Sequence, residues 1–574
     1  MTEMRPRSFA MFRLPSTVRV LEWGCLLVIG FVVLYPLFWL VVGSFRPDPI
    51  SSDFTLDAYF AIFEAEYMGE VLWNTAVMSA GVTSLSVLIG VPLAWIVGRT
   101  DTPLRNYINM IAILPFIMPP VVVAVAWAYL GTPRVGFVNL FWKWLAGTKE
   151  PLFDIFTMGG LIFVMALSLA PYVFIFTVTA FKNMDPTLEN AAHVSGANQW
   201  KTTLRITLPM AAPAILSGAL LTFIQSLEVF AIPATIGVSG GIYVFSTQLW
   251  RMMLGIPPNF SHAAAMSIPI LLVCGLALWG QTRALGRSAR YTTVAGKSFR
   301  PRLVELGPWK YVALAFASFY LLVSAILPVL TLIYGTFISN RGRPPTFEYL
   351  TLGHIHEIIT GDGGAVILRS IQNSLFLSFM GATIGIALSA VVAYFVVRST
   401  WKGRGTLDFL ALIPVAIPGA VIALAMLWAY IREPFNLYHT LWIILIAYIT
   451  RFLPFGVRSV SNSITQIHEE LERAAAVSGA NWGVVFWKIL VPLAMPGIVA
   501  GWIILFVSMM RELSASIMLF SSNKEVISTI LIQLYDEGLF SHVCILSLII
   551  VILSLGSVAM VRWLTKQKDV EGLT

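Results

Sequence analysis

Four ionisable residues sit where the chain is otherwise apolar: Glu228, Arg451, Arg511 and Glu512. A charge at the centre of a membrane helix costs about 2.5–3.5 kcal/mol on insertion scales, so such residues pair with one another or line a wet pathway. The pattern predicts that Glu228 and Glu512 face a central pathway and that Arg511 or Arg451 offsets one of them. A structural ion pair between helices is the other reading. The remaining reactive side chains form no catalytic set. Cys25, Cys274 and Cys544 are far apart in apolar runs, without metal or disulfide spacing, and read as small packing residues. His193 and His468 read as solvated, and no histidine, cysteine or carboxylate cluster shows metal-ligand spacing, so no metal site is expected. Gly296-Lys297-Ser298 looks like the end of a phosphate-binding loop, but Tyr291 stands where its first glycine belongs. The chain is therefore not expected to be an enzyme, and no cofactor is expected in it.

The elements that position these residues follow from composition. Apolar residues make up 57% of the 574 and charged residues 11%, against about 25% charged in a soluble protein. That balance excludes a soluble domain of this size, and the net charge of +8 gives no reason to expect nucleic acid. Apolar stretches long enough to span a bilayer fall near 20–44, 71–97, 106–131, 155–182, 211–238 and 262–282, then near 311–337, 370–397, 406–430, 439–463, 494–519 and 542–564. The fold class expected is an all-α polytopic membrane protein with twelve transmembrane helices. The first stretch is too long for a signal-peptide core and reads as a retained span. Roughly two thirds of the 37 Lys and Arg fall on one side when both termini are placed in the cytoplasm, as the positive-inside rule requires. Prolines 115, 119, 120, 233, 414, 418 and 454 are expected to break or kink helices at membrane depth.

The two halves are copies. Trp73-Asn74-Thr75 answers to Gln372-Asn373-Ser374, Arg99-Thr100 to Arg398-Ser399, Pro119 to Pro418, Pro171 to Pro454 and Gly196 to Gly479. Six spans per copy make the repeats parallel, related by an axis along the membrane normal. The division expected is a first repeat over 1–282, a basic linker over 283–310 whose charges suit anionic lipid, and a second repeat over 311–574.

One motif occurs in both copies, between the fourth and fifth spans. It reads Leu188-Glu189-Asn190-Ala191-Ala192-His193-Val194-Ser195-Gly196 in the loop 185–209. In the loop 468–492 it reads Leu471-Glu472-Arg473-Ala474-Ala475-Ala476-Val477-Ser478-Gly479. Asp185-Pro186 suits a helix start, paired alanines give a narrow surface, and glycine supplies the left-handed residue that ends a helix. Each loop is expected to be a helix–turn–helix elbow with small residues at its tip. The pattern resembles the Glu-Ala-Ala loop of permeases of binding-protein-dependent ABC importers. In that family the loop docks on the ATPase subunit. The resemblance assigns ATPase coupling to Glu189, Ala191, Ala192, Gly196, Glu472, Ala474, Ala475 and Gly479. Asn190 and Arg473 stand at the family glutamate's place, with Glu189 and Glu472 one position earlier.

The fused two-copy form, the Thr293–Lys297 segment with Arg300-Pro301, and Arg511-Glu512-Leu513-Ser514-Ala515 look like the iron(III)-type permeases. The resemblance implies an importer permease in the bacterial inner membrane. It implies two copies of a cytoplasmic ATPase, which bind ATP and Mg, and a periplasmic or lipid-anchored substrate-binding protein. Iron(III) is the cargo the resemblance favours; thiamine, a phosphonate or another small solute share the layout. A secondary transporter driven by an ion gradient also suits twelve spans, but would have no use for a duplicated coupling loop.

Overall fold

A computed structural model describes residues 16–49, 51, 53–185, 187–288, 303–338, 350–361 and 363–571. Among these the chain is helical throughout, with two isolated bridges, Thr100 to Val304 and Ile338 to Leu350, in place of any strand. The first repeat contains α1 (Ser16–Gly43), α2 (Asp57–Glu64), α3 (Glu66–Arg99), α4 (Arg105–Phe116), α5 (Pro120–Gly131), α6 (Met158–Asn183), α7 (Thr187–Val194), α8 (Leu208–Glu228) and α9 (Phe260–Ser288). The second contains α10 (Trp309–Phe337), α11 (Gly353–Thr360), α12 (Gly364–Arg398), α13 (Arg404–Ala416), α14 (Gly419–Tyr430), α15 (Leu441–Gln466), α16 (Glu469–Val477), α17 (Val491–Met510) and α18 (Phe540–Glu571).

Ten described helices are long and apolar enough to cross a membrane, and twelve spans result if each of two bent pairs counts as one. Those pairs are α4 with α5, bent by 92°, and α13 with α14, bent by 111°. The bends fall at Pro119-Pro120 and at Pro418, where proline removes a backbone donor and disfavours helix in the residue before it. Pro454 behaves differently: α15 runs unbroken through it, as α6 runs through Pro171. So Pro454 does not break its helix; residues 451–454 are buried among neighbouring helices, while Phe455 faces the cavity side and is exposed. Large apolar side chains such as Leu27, Leu88, Leu276 and Ile552 are exposed on helix exteriors, as a hydrocarbon-facing surface requires.

Matched residues do matched work. Asn74 Nδ2 donates to the Tyr243 carbonyl (3.3 Å) and Asn373 Nδ2 to the Glu525 carbonyl (2.9 Å). Thr75 Oγ1 accepts from the Phe245 amide (2.9 Å) and Ser374 Oγ from the Ile527 amide (2.8 Å). Each pair pins the start of a short helix, Phe245–Leu254 or Ile527–Asp536, to a long one of its own repeat. These contacts satisfy buried backbone groups that hydrocarbon could not.

Each repeat lends its first helix to the other. Helix α1 lies on α13 and α14: Tyr35 donates to the Ala429 carbonyl (3.4 Å), Trp23 meets Trp401 with ring centroids 4.9 Å apart, and Ser399 donates to Glu22. Reciprocally, Tyr320 of α10 donates to the Leu167 carbonyl of α6 (3.1 Å), and Tyr334 meets Phe137. Of the linker, Val304 pairs with the end of α3, its amide donating to the Arg99 carbonyl (2.7 Å). Most of the linker's basic residues and the Thr293–Pro301 segment lie outside the described residues.

Candidate functional site

The two elbows have one construction. Helix α7 ends where Ser195 and Ala197 amides donate to Ala191 and Ala192 carbonyls (3.0 and 2.9 Å), with Gly196 at φ +81°. Helix α16 ends the same way through Ser478, Ala480 and Gly479 at φ +84°. A side chain at either glycine would meet nothing within 4 Å, so it is the left-handed backbone, not crowding, that calls for glycine there. Asn198 and Asn481 then cap the next helix, accepting from the Lys201 amide (2.8 Å) and the Val484 amide (2.9 Å). Asp185 accepts from the Thr187 amide (2.9 Å), the cap expected of it; Pro186 lies outside the described residues.

The glutamates of the motif turn inward. Glu189 is buried, 2.5 Å from Arg99 at the end of α3, and accepts from Thr207 Oγ1 (2.6 Å). Glu472 accepts from Arg398 Nε (2.7 Å) at the end of α12, and Arg398 also donates to the carbonyls of Ile464 (3.0 Å) and Ile467 (2.5 Å). Burial holds the Glu472 carboxyl above the ordinary carboxylate range, and Arg398 pulls it back only in part. The exposed tip consists of Ala191 with Gly196 and Ala474 with Gly479, while Ala192 and Ala475 are half-buried. Val194 and Val477 are almost fully exposed, at 90% and 85%. Sequence reasoning gave no role to these valines or to Arg99 and Arg398. Their signal was their own duplication, Val-Ser-Gly-Ala-Asn and Arg-Thr/Ser recurring in both copies.

The four membrane-depth charges meet between the repeats. Arg451 of α15 contacts Glu512 (3.0 Å) and, across the repeat boundary, Glu228 at the end of α8. Gln225 donates to Glu228 (2.6 Å) and accepts from Tyr172 (3.1 Å). Glu512 also accepts from the Ala515 amide (2.7 Å). Arg511 lines the same cavity; it donates to the Phe116 carbonyl at the bend between α4 and α5 and lies over the Phe116 ring, 5.1 Å from its centroid. That carbonyl is exposed by the break in the helix. So Arg451 offsets both glutamates and Arg511 braces a bend. Gly419 opens α14 against this cluster; a Cβ there would fall 1.2 Å from Arg451 Nη1.

All four residues line one cavity of about 1250 Å³. Both repeats contribute, from Tyr172, Leu221 and Gln225 on one side to Phe452, Ile504 and Val507 on the other. The lining continues through Trp279, Thr282, Phe409 and Arg458 toward the end of the bundle that carries the elbows. Apart from the charge cluster, the walls are largely apolar.

The family profile described as "Binding-protein-dependent transport system inner membrane component" matches residues 86–291 and again 361–569. The chain is 26% identical over 544 residues to the ferric transport system permease protein FbpB of Actinobacillus pleuropneumoniae, covering 94% of this chain and 77% of that protein. It is 27% identical over 506 residues to a putative ferric transport system permease protein FbpB 1 of Haemophilus influenzae, covering 87% and 78%. The spermidine/putrescine transport system permease protein PotB of Escherichia coli is 26% identical over 270 residues, which is 45% of this chain and 97% of that protein. The two profile matches cover more than half of the chain. It therefore belongs to the inner membrane components of binding-protein-dependent transport systems, with the family's unit present twice in one polypeptide.

Proposed function

We propose that this chain forms the membrane pathway of an ATP-driven importer of iron(III). Both elbows and both termini would lie in the cytoplasm, where each elbow receives one copy of a separate ATPase that binds ATP and Mg. A periplasmic or lipid-anchored binding protein delivers the cargo to the opposite end. The observation that carries this reading is the matched pair of elbows. Each is braced from within by an arginine–glutamate pair and presents alanine, glycine and valine outward, a small apolar tip suited to a groove on a partner.

A braced elbow transmits force. Glu189 and Glu472 join the elbows to the ends of α3 and α12, while α8 and α17 follow the elbows directly and end at Glu228 and Arg511. Closure of two ATPases would move both elbows together, rock the repeats and work on the cluster where Arg451 spans them. The cavity reaching toward the elbow end suits a cargo leaving on the cytoplasmic side. Iron(III) is proposed because several relatives that match most of the chain, among them those of Actinobacillus pleuropneumoniae and Haemophilus influenzae, are named for ferric transport.

The test is cross-linking in membranes of the intact complex, with Val194→Cys and Val477→Cys. Adducts of both positions with the ATPase subunit are expected, and failure of both to reach it would sink the proposal. Uptake of labelled ferric iron against labelled thiamine in a knockout strain tests the cargo separately.

A further inference from the structure

Helix α11 and the start of α18 bring His354, Glu357 and His542 together at the end of the bundle away from the elbows. One ligand atom from each lies within 4.8 Å of the other two. Glu357 Oε2 is 3.7 Å from His354 Nδ1 and 3.7 Å from His542 Nε2. Two ligands on a tetrahedral zinc-like ion, each bonded at about 2.1 Å, stand roughly 3.4 Å apart. Both separations are within a few tenths of an ångström of that figure, and the two histidine nitrogens lie within 4.8 Å of each other, so the three could converge on one ion by side-chain movement. His354 and Glu357 are three residues apart and share a helix face.

The orientation of His354 strengthens the case. Its Nε2 lies 3.2 Å from the Ile338 carbonyl oxygen, which can only accept, so Nε2 carries the proton. In the neutral ring Nδ1 then turns a lone pair toward a carboxylate. Such a pair calls for a cation between them, a further proton or a metal. A backbone carbonyl on the far ring nitrogen is the usual way a ligating histidine is held. Both histidines are mostly buried at the side chain, 26% and 13% exposed, while Glu357 is 62% exposed and leaves the site open to water for the remaining coordination.

The first repeat shows which parts the fold itself demands. Helix α9 opens with Phe260-Ser261-His262 as α18 opens with Phe540-Ser541-His542. Ser261 donates to the Pro47 carbonyl (2.7 Å) and Ser541 to the Ile338 carbonyl (3.2 Å). The helix start is thus common to both copies. Counted from the start of each short helix, however, α2 has Ala58 and Ala61 where α11 has His354 and Glu357. The architecture does not need these two residues; they complete a ligand set in one copy only.

We propose that His354, Glu357 and His542 bind one divalent metal ion of the zinc class, tying α11 to the start of α18. Two imidazoles and one carboxylate suit a borderline divalent ion such as zinc. None of the three residues lines the central cavity, so the site is separate from it. Sequence spacing did not reveal it, because His542 joins the other two only in the folded chain.

The test uses the full chain in lipid nanodiscs, purified without a polyhistidine tag, stripped with a chelator and titrated with zinc chloride against a chromophoric competitor. One zinc per chain is expected. His354→Ala and His542→Ala should each weaken it by at least about tenfold, as should Glu357→Gln, which alters an exposed side chain and leaves packing intact. His356→Ala and His262→Ala should bind as the parent does. No stoichiometric zinc in the parent chain, equal zinc affinity in the three ligand variants, or occupation by ferric ion in preference to zinc would each overturn the proposal.

Discussion

At the scale of single residues, Arg451 is the balance point. It carries one positive charge between two carboxylates from different repeats, with a second arginine, Arg511, a short distance away. Removing one member of a buried ion pair costs about 3–5 kcal/mol, because the partner is left charged and unpaired. Arg451→Met should therefore lower the thermal unfolding temperature in detergent markedly. The double change Arg451→Met with Glu228→Gln should recover part of that loss, since it leaves one carboxylate, Glu512, and one arginine, Arg511, in the cavity. Uptake separates structure from transport. Glu228→Gln that assembles normally yet still transports at the parent rate would remove Glu228 from the pathway. The sequence exposed all four charges through their apolar surroundings. It could not say which arginine met which glutamate, because the partners are separated by 61 and 223 residues.

At the scale of elements, the elbows combine a rigid base and a small tip. Left-handed backbone costs a residue with a Cβ roughly 1–2 kcal/mol, and nothing crowds either glycine. Gly196→Ala and Gly479→Ala should thus cost stability only on that scale, yet reduce ATP hydrolysis stimulated by the binding protein, measured in proteoliposomes. Arg99→Gln should have a larger structural effect than Gly196→Ala, since it strands the buried Glu189. Equal unfolding temperatures for Arg99→Gln and the parent chain would show that the brace does not hold the elbow. The helices, the cap at Asp185 and the glycine ends were legible in sequence, since caps and left-handed glycines are local chemistry. The direction of the glutamates was not, for it depends on where the ends of α3 and α12 arrive.

At the scale of the whole molecule, the exchange of α1 and α10 makes the repeats mutually dependent. Gly43 packs so closely on Trp428 that a Cβ would lie 2.4 Å from the indole. Each half exposes, when alone, a face that the other half's first helix covers. Two chains divided within 289–302 and expressed together should co-purify as one complex, while either half alone should be recovered poorly. Co-purification that survives deletion of α1 would show that the exchange contributes little. The covalent linker then serves chiefly to deliver the halves in equal number.

Class, duplication and elbows can be read from the chain without its fold. Each of these is written in local pattern: apolar length against bilayer thickness, a motif repeated at matching positions, and the backbone demands of glycine and proline. Five features come from the folded chain alone: Arg451 spans the repeats, Arg511 braces a broken helix, Pro454 leaves its helix whole, the first helices are exchanged, and His542 stands beside His354 and Glu357. The reason is common to all five. Each depends on which surfaces of distant helices are brought into contact, and in an apolar chain that choice is made by close packing and by the few polar groups that must find partners.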